Sequence, residues 1–156
     1  KKMAKKFYGI ISGSLFRSRY KDLAGAEHNR IFDNRFISVI EGGYKPNNRW
    51  DVSLRWALAG GKPYTPFDLH QSTAQNRGII DESRVNANRY PVYSSINVRV
   101  DKRFQLGRSH IVAFLSVWNA LNQQHIASYY WNTFENKKDT IYQWRAMPIF
   151  GIELEI

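Results

Sequence analysis

The sequence predicts an all-β fold made of antiparallel up-and-down strands from a transmembrane β-barrel. Three observations support this prediction. Apolar and polar side chains alternate in several segments, the connections between those segments alternate between short and long, and tryptophan lies on the apolar side of the clearest segment. No helical periodicity of useful length competes with this alternation.

About six segments have the alternation or the composition of strands. They are residues 7–20, 36–45, 50–59, 95–104, 110–119 and 144–156. The first is rich in glycine, serine and aromatic residues, and the fifth is apolar on both sides. The last alternates Phe150, Ile152, Leu154 and Ile156 with Gly151, Glu153 and Glu155. About six strands are too few to close a barrel, which takes about 8, so we expect this chain to be part of a larger one.

The alternation assigns side chains to two faces of the predicted sheet. In residues 50–59 large apolar side chains at every second position are backed by charged and small ones, an arrangement that fits hydrocarbon outside and water or packed protein inside. We therefore predict the following lipid-facing residues: Trp50, Val52, Leu54, Trp56, Leu58, Ile96, Val98 and Val100. The predicted lumen-facing residues are Glu41, Arg55, Arg99, Asp101 and Arg103.

The predicted connections differ in length in a regular order. Residues 46–49 (PNNR) and 105–108 (QLGR) are tight turns, and Gly107 is the residue expected to adopt a positive φ. Residues 21–35, 60–94 and 120–143 are long and polar. Outer-membrane barrels have short periplasmic turns and long extracellular loops, whereas a soluble sandwich has turns at shorter and more regular spacing.

Several motifs follow one another in a fixed order. Residues 32–68 contain Asp-x-Arg at the start of a strand, Gly-Gly-Tyr at its end and then a Gly-Lys-Pro-Tyr-Thr-Pro loop. Residues 88–104 contain Arg-x-Pro-x-Tyr before an Asp-containing strand, residues 114–126 form an aromatic strand that ends in Asn-x-x-Asn, and residues 147–156 (MPIFGIELEI) form an alternating last strand. In this order they resemble the C-terminal end of TonB-dependent outer-membrane receptors of the Bacteroidetes type, although Ile156 stands where that family usually has an aromatic residue.

The resemblance implies a parent barrel of roughly 22 strands whose lumen is plugged by an N-terminal domain. Residues 1–156 would be the C-terminal part of that barrel, a fragment without the plug domain and the earlier strands. The implied function is binding of a scarce nutrient at the cell surface and its import into the periplasm, driven by energy from the inner membrane. The implied partners are outer-membrane lipid, the plug domain and earlier strands, the TonB complex acting through the plug, and a surface lipoprotein. The implied location is the outer membrane of a Gram-negative bacterium.

Aromatic residues gather near the predicted strand ends and in the long connections. We take Tyr64, Tyr129, Tyr130 and Trp131 as candidates for ligand binding by the outer loops. Two other uses stay open for them, packing within the loops and a place in the aromatic girdle at the membrane surface.

The chain is basic, with a formal net charge of +10. Its cations are spread along the sequence, with no dense run beyond Lys1, Lys2, Lys5 and Lys6, so we expect no nucleic acid as a partner. The alternative hypothesis is a soluble basic β-domain that binds an anionic polymer through Arg17, Arg19, Arg99, Lys102 and Arg103. The two hypotheses differ in whether the protein needs detergent.

The sequence gives little support for an enzyme. Gly60-Gly61-Lys62-Pro63 lacks the glycine spacing of a phosphate loop, so we interpret it as the end of a strand and the start of a loop. His28, His70, His110 and His125 lack the spacing of metal ligands, and there is no cysteine. We predict no catalytic residues, no cofactor and no metal site.

Overall fold

The fold described here comes from a computed structural model, which describes residues 2–4, 6–107 and 109–155. Its strands, in chain order, are β1 (Lys2–Ala4), β2 (Phe7–Leu15), β3 (Arg19–Lys21), β4 (Glu27–Asn29), β5 (Phe36–Asn47), β6 (Trp50–Ala59), β7 (Pro63–Tyr64), β8 (Asn88–Arg89), β9 (Tyr93–Leu106), β10 (Ser109–Trp118), β11 (Ile126–Asn132), β12 (Lys137–Tyr142) and β13 (Met147–Glu155). Helix α1 spans Leu69–Gln75, and a 3₁₀ turn spans Glu82–Arg84.

Seven strands form one sheet in the order β1-β2-β5-β6-β9-β10-β13, and every neighbouring pair is antiparallel. The predicted all-β, antiparallel fold with sequential pairing is therefore confirmed. Within the described residues the sheet is open, because β1 and β13 do not pair with each other. Barrel closure and membrane insertion stay predictions.

Each of the six predicted strands is present; β6 has the predicted ends, and the other five have shifted ends. The first is shorter than predicted because the chain turns away after Leu15, where Asp33 accepts a hydrogen bond from the backbone N–H of Ser18 (2.8 Å). Residues 19–21 instead pair with β4 in a separate hairpin. The last strand begins at Met147, later than predicted, and the predicted end at Ile156 lies outside the described residues.

Short turns connect the long strands at one end of the sheet, which we call the turn end. Between β5 and β6 the side-chain oxygen of Asn47 accepts hydrogen bonds from the N–H groups of Arg49 (2.9 Å) and Trp50 (3.2 Å). Gly107 follows β9 with a φ of 60°, as its place in the predicted turn requires. The three long connections lie at the opposite end, which we call the loop end.

The long connections contain secondary structure that the sequence did not predict. They hold the hairpins β3–β4, β7–β8 and β11–β12, together with α1. Asp68 caps the start of α1 by accepting a hydrogen bond from the N–H of Gln71 (3.0 Å), and Asn76 ends it in the left-handed conformation. No helix in the described part of the chain is long and apolar enough to cross a membrane.

Strand register divides the side chains of the large sheet between two faces. Val52 lies opposite Tyr44 on β5 and Val100 on β9, while Arg55 lies opposite Glu41 and Asn97. We call the first surface the apolar face and the second the polar face. Val112 is the only buried hydrophobic residue among those described, at 6% exposed. As far as its described residues show, the sheet is a single layer without a hydrophobic core of its own.

Candidate functional site

The five predicted lumen-facing residues all lie on the polar face. Glu41 and Arg55 are cross-strand neighbours, and Arg99, Asp101 and Arg103 follow one another at every second position of β9. Because the strands are in register, these side chains from β5, β6 and β9 form one continuous charged surface.

Arg99 is the centre of this charged surface. Its guanidinium contacts Asp101 at 2.6 Å and Glu153 of β13 at 3.3 Å, and it lies 4.1 Å from the ring centre of Phe114 on β10. The contacts extend across three neighbouring strands, so Arg99 links β9 to both β10 and β13. A planar guanidinium is suited to this combination of carboxylate pairing and ring stacking.

Further polar contacts lie on the same face near the turn end. The hydroxyl of Tyr8 donates to Asp51 (2.9 Å), and the ammonium of Lys45 contacts the other oxygen of that carboxylate (3.0 Å). Around them is a concave region of about 760 Å³ whose lining includes Lys6, Arg49 and Glu153. Both signs of charge line it, so this part of the sheet is suited to contact with water or with a polar protein surface.

The eight predicted lipid-facing residues all lie on the apolar face. Register aligns those of β6 with those of β9, as in the pairs Leu54–Val98 and Trp56–Ile96. Leu54 is 46% exposed although it lies in the middle of the sheet. The indole N–H of Trp56 donates to the hydroxyl of Ser94 (3.1 Å), so this exposed tryptophan leaves no unpaired donor on the face.

Other strands extend the apolar face beyond the predicted residues. These additional members are exposed and large, and they comprise Ile11, Ile40, Leu115, Phe150, Ile152 and Leu154. The sequence shows their alternation but not the register that joins them, because register depends on pairing between distant segments.

The four aromatic ligand candidates do not form one site. Tyr64 and Tyr129 pack together with Tyr90, with ring centres 4.6, 5.0 and 5.2 Å apart, and burial raises the pKa of both Tyr90 and Tyr129. Trp131 instead contacts the ring of Phe67 at 5.9 Å, and the hydroxyl of Tyr130 donates to Asp139 (3.2 Å). These contacts support loop packing as the role of the four residues.

A cavity of about 720 Å³ lies beside this tyrosine cluster at the loop end. Its lining includes Tyr90, Tyr93, His125 and Tyr142, and the rings of Tyr93 and His125 are 4.5 Å apart. The Nε2 atom of His125 is inaccessible to solvent and has no hydrogen-bond partner. Cavities of this size hold small molecules. The sequence did not predict this group, and the Arg-x-Pro-x-Tyr motif that contains Tyr90 and Tyr93 is the one signal that pointed to it.

A buried ion pair connects the first two long loops beside the cavity. Asp33 is fully buried and contacts the guanidinium of Arg89, which also donates to the carbonyl of Gly61 (3.0 Å). Burial opposes ionisation of Asp33, but the N–H of Ser18 and the guanidinium outweigh it and lower the pKa of the carboxyl. The pair joins the Asp-x-Arg motif to the Arg-x-Pro-x-Tyr motif.

Gly60 and Gly61 pass through the same region. A Cβ atom added at Gly60 would lie 1.9 Å from the carbonyl oxygen of Asn34. A Cβ atom added at Gly61 would lie 1.7 Å from the carbonyl oxygen of Tyr90. The glycines follow the end of β6, which confirms their interpretation as the end of a strand and the start of a loop.

In the described residues no group of three or more histidine, aspartate or glutamate side chains could hold a metal ion.

The chain matches no protein-family model, no curated protein and no solved structure.

Proposed function

We propose that this chain is the C-terminal part of the β-barrel of a TonB-dependent outer-membrane receptor. The receptor binds a scarce nutrient at the cell surface and imports it into the periplasm with energy from the inner membrane. In this proposal the chain supplies barrel wall, three outer loops and part of the lumen lining, and it catalyses no reaction.

The observation that supports the proposal best is the single-layer sheet with two unlike faces. A soluble domain covers the apolar face of a sheet with a second layer, and here that face is exposed across β2, β5, β6, β9, β10 and β13. Hydrocarbon is a suitable environment for this face, and a plug domain with its surrounding water is a suitable one for the charged face.

The arrangement of the connections supports the same proposal. Two tight turns lie at one end of the sheet, and the connections at the other end contain paired hairpins, a buried ion pair and an aromatic cluster. Outer-membrane barrels have short turns on the periplasmic side and long loops on the outside. The loop-end cavity would then lie on the surface from which the nutrient enters.

The geometry does not favour a soluble domain that binds an anionic polymer. Arg99 is paired with two carboxylates on the polar face, and Lys102 lies on the opposite face. Arg19, in the β3–β4 hairpin, contacts Glu27 at 2.7 Å. The proposed cations therefore do not form one basic surface.

The facing of β6 can be tested by cysteine labelling, since the chain contains no native cysteine. In the intact receptor in native membranes, we expect a cysteine at Leu54 to resist a charged maleimide, because the reagent does not enter hydrocarbon and a thiol there stays protonated and unreactive. A cysteine at the neighbouring Ser53, on the polar face, is the matched control and should react with the charged maleimide. Equal reaction of both positions with the charged reagent would contradict the proposed function.

A further inference from the structure

Lys102 is a charged exception on the apolar face. By strand register it is the one charged side chain on that face among the described residues of the six long strands. It lies near the turn end, directly opposite Trp50, the first residue of β6. The lysine thus interrupts the apolar face near the turn end, and Phe104 follows it on the same face.

Among the described residues, aromatic rings and no carboxylate surround this charge. The ammonium of Lys102 lies 4.8 Å from the ring centre of Trp50 and 5.1 Å from that of Phe104. Within the described part of the chain, Lys102 has no ion pair and the indole N–H of Trp50 has no hydrogen-bond acceptor, whereas the indole N–H of Trp56 donates to Ser94. Two donors are therefore available together at this edge of the apolar face.

These donors fit a phosphate group. A lysine in the hydrocarbon core is costly, but at the membrane surface an ammonium attracts lipid phosphate while tryptophan prefers the headgroup level. We propose that the ammonium of Lys102 and the indole N–H of Trp50, beside the ring of Phe104, bind the phosphate of a membrane phospholipid at the turn end of the sheet. This inference rests on the proposed function, because it requires the apolar face to contact lipid.

The test is lipid binding by the intact receptor, purified in a maltoside detergent and examined by native mass spectrometry. Phosphatidylglycerol is the probe, and diacylglycerol with the same chains but no phosphate is its control. We expect Lys102→Gln to weaken phosphatidylglycerol binding about fivefold, the effect of one lysine at a charged membrane surface, and to leave diacylglycerol binding unchanged. Lys102→Arg, which keeps the positive charge, should restore binding.

Lys138→Gln is the matched control, since the ammonium of Lys138 also lies over an aromatic ring, that of Tyr129 at 4.3 Å, but in the loops. It should leave phosphatidylglycerol binding unchanged. Equal phosphatidylglycerol binding by wild type and a folded Lys102→Gln receptor would overturn the inference. Displacement of the lipid by an equal concentration of glycerol 3-phosphate would also overturn it, because that result would indicate a site for free phosphate. A receptor that stays folded and soluble without detergent or lipid would overturn the proposed function as well.

Discussion

At the level of single residues, the Asp33–Arg89 pair is the contact that most clearly fixes the loops. Asp33 is fully buried, so removal of Arg89 would leave a buried carboxylate without its counter-ion. We expect Arg89→Gln to lower the free energy of unfolding by about 3 kcal/mol, measured by denaturant titration of the receptor in lipid vesicles. Arg19→Gln breaks the exposed pair with Glu27 and is the control, with an expected loss of about 0–1 kcal/mol. Equal losses would show that burial of the pair has no energetic role.

The same carboxyl group gives the loops a dependence on acid pH. The folded pKa of Asp33 lies below its unfolded value of about 3.9, so the unfolded state binds the proton more readily. Its stabilisation is complete above the unfolded pKa and is lost as the pH falls through the folded pKa. We expect protease cleavage of residues 16–35 to rise below about pH 4 in wild type, measured with an acid-active protease. In Asp33→Asn the same rise should be absent, because that position no longer titrates.

At the level of elements, the end of β6 depends on glycine. The Cβ of an alanine at Gly61 would lie 1.7 Å from a backbone oxygen, and backbone cannot move aside as a flexible side chain can. We expect Gly61→Ala to cost about 1–3 kcal/mol of folding free energy and to increase protease cleavage in residues 60–92. Gly13→Ala on β2 is the matched control, since nothing lies within 4 Å of its added Cβ and its stability should change little. The prediction is wrong if the two variants are equally stable.

The two faces of β6 should differ in their tolerance of charge. Leu54 lies on the apolar face and Ser53 on the polar face, one residue apart on the same strand. We expect Leu54→Arg to cost about 2–4 kcal/mol and to lower the amount of assembled receptor, because arginine near the bilayer midplane is costly. Ser53→Arg should assemble like wild type unless its side chain meets the plug. Assembly can be measured as the heat-modifiable folded band on gels of outer membranes, and equal losses would argue against the lipid assignment.

The sequence predicted the long strands better than the loops, for a physical reason. Residues such as Trp50, Val52 and Leu54 show their shared face through local alternation, so β6 was predicted with its observed ends. Pairing between distant residues determines the loops instead, as when Asp33 meets Arg89 or Tyr64 meets Tyr129. No local pattern encodes those contacts, so the three hairpins, α1 and the Tyr93–His125 cavity were missed.

At the level of the whole molecule, the described residues bury few of the apolar side chains that stabilise an isolated domain. Its large sheet has one buried hydrophobic residue among those described, Val112, and large apolar side chains such as Phe150 are 82% exposed. Each of the outer strands of the sheet, β1 and β13, has one partner strand. Hydrophobic burial is the main favourable term in folding, so we expect a sheet of this kind to need a further apolar surface for its stability, which lipid and further strands would supply under the proposed function.

This dependence predicts the behaviour of the chain on its own. We expect residues 1–156, expressed alone and diluted into detergent-free buffer, to aggregate, since the apolar face and the free edges of β1 and β13 would associate with other copies. The measurement is size-exclusion chromatography with far-UV circular dichroism, and the intact receptor in detergent is the control and should elute as a folded β-sheet protein. A soluble monomer of residues 1–156 with a β-sheet spectrum and a cooperative thermal transition would show that the sheet is a self-sufficient domain. That result would contradict the view that it is part of a barrel wall.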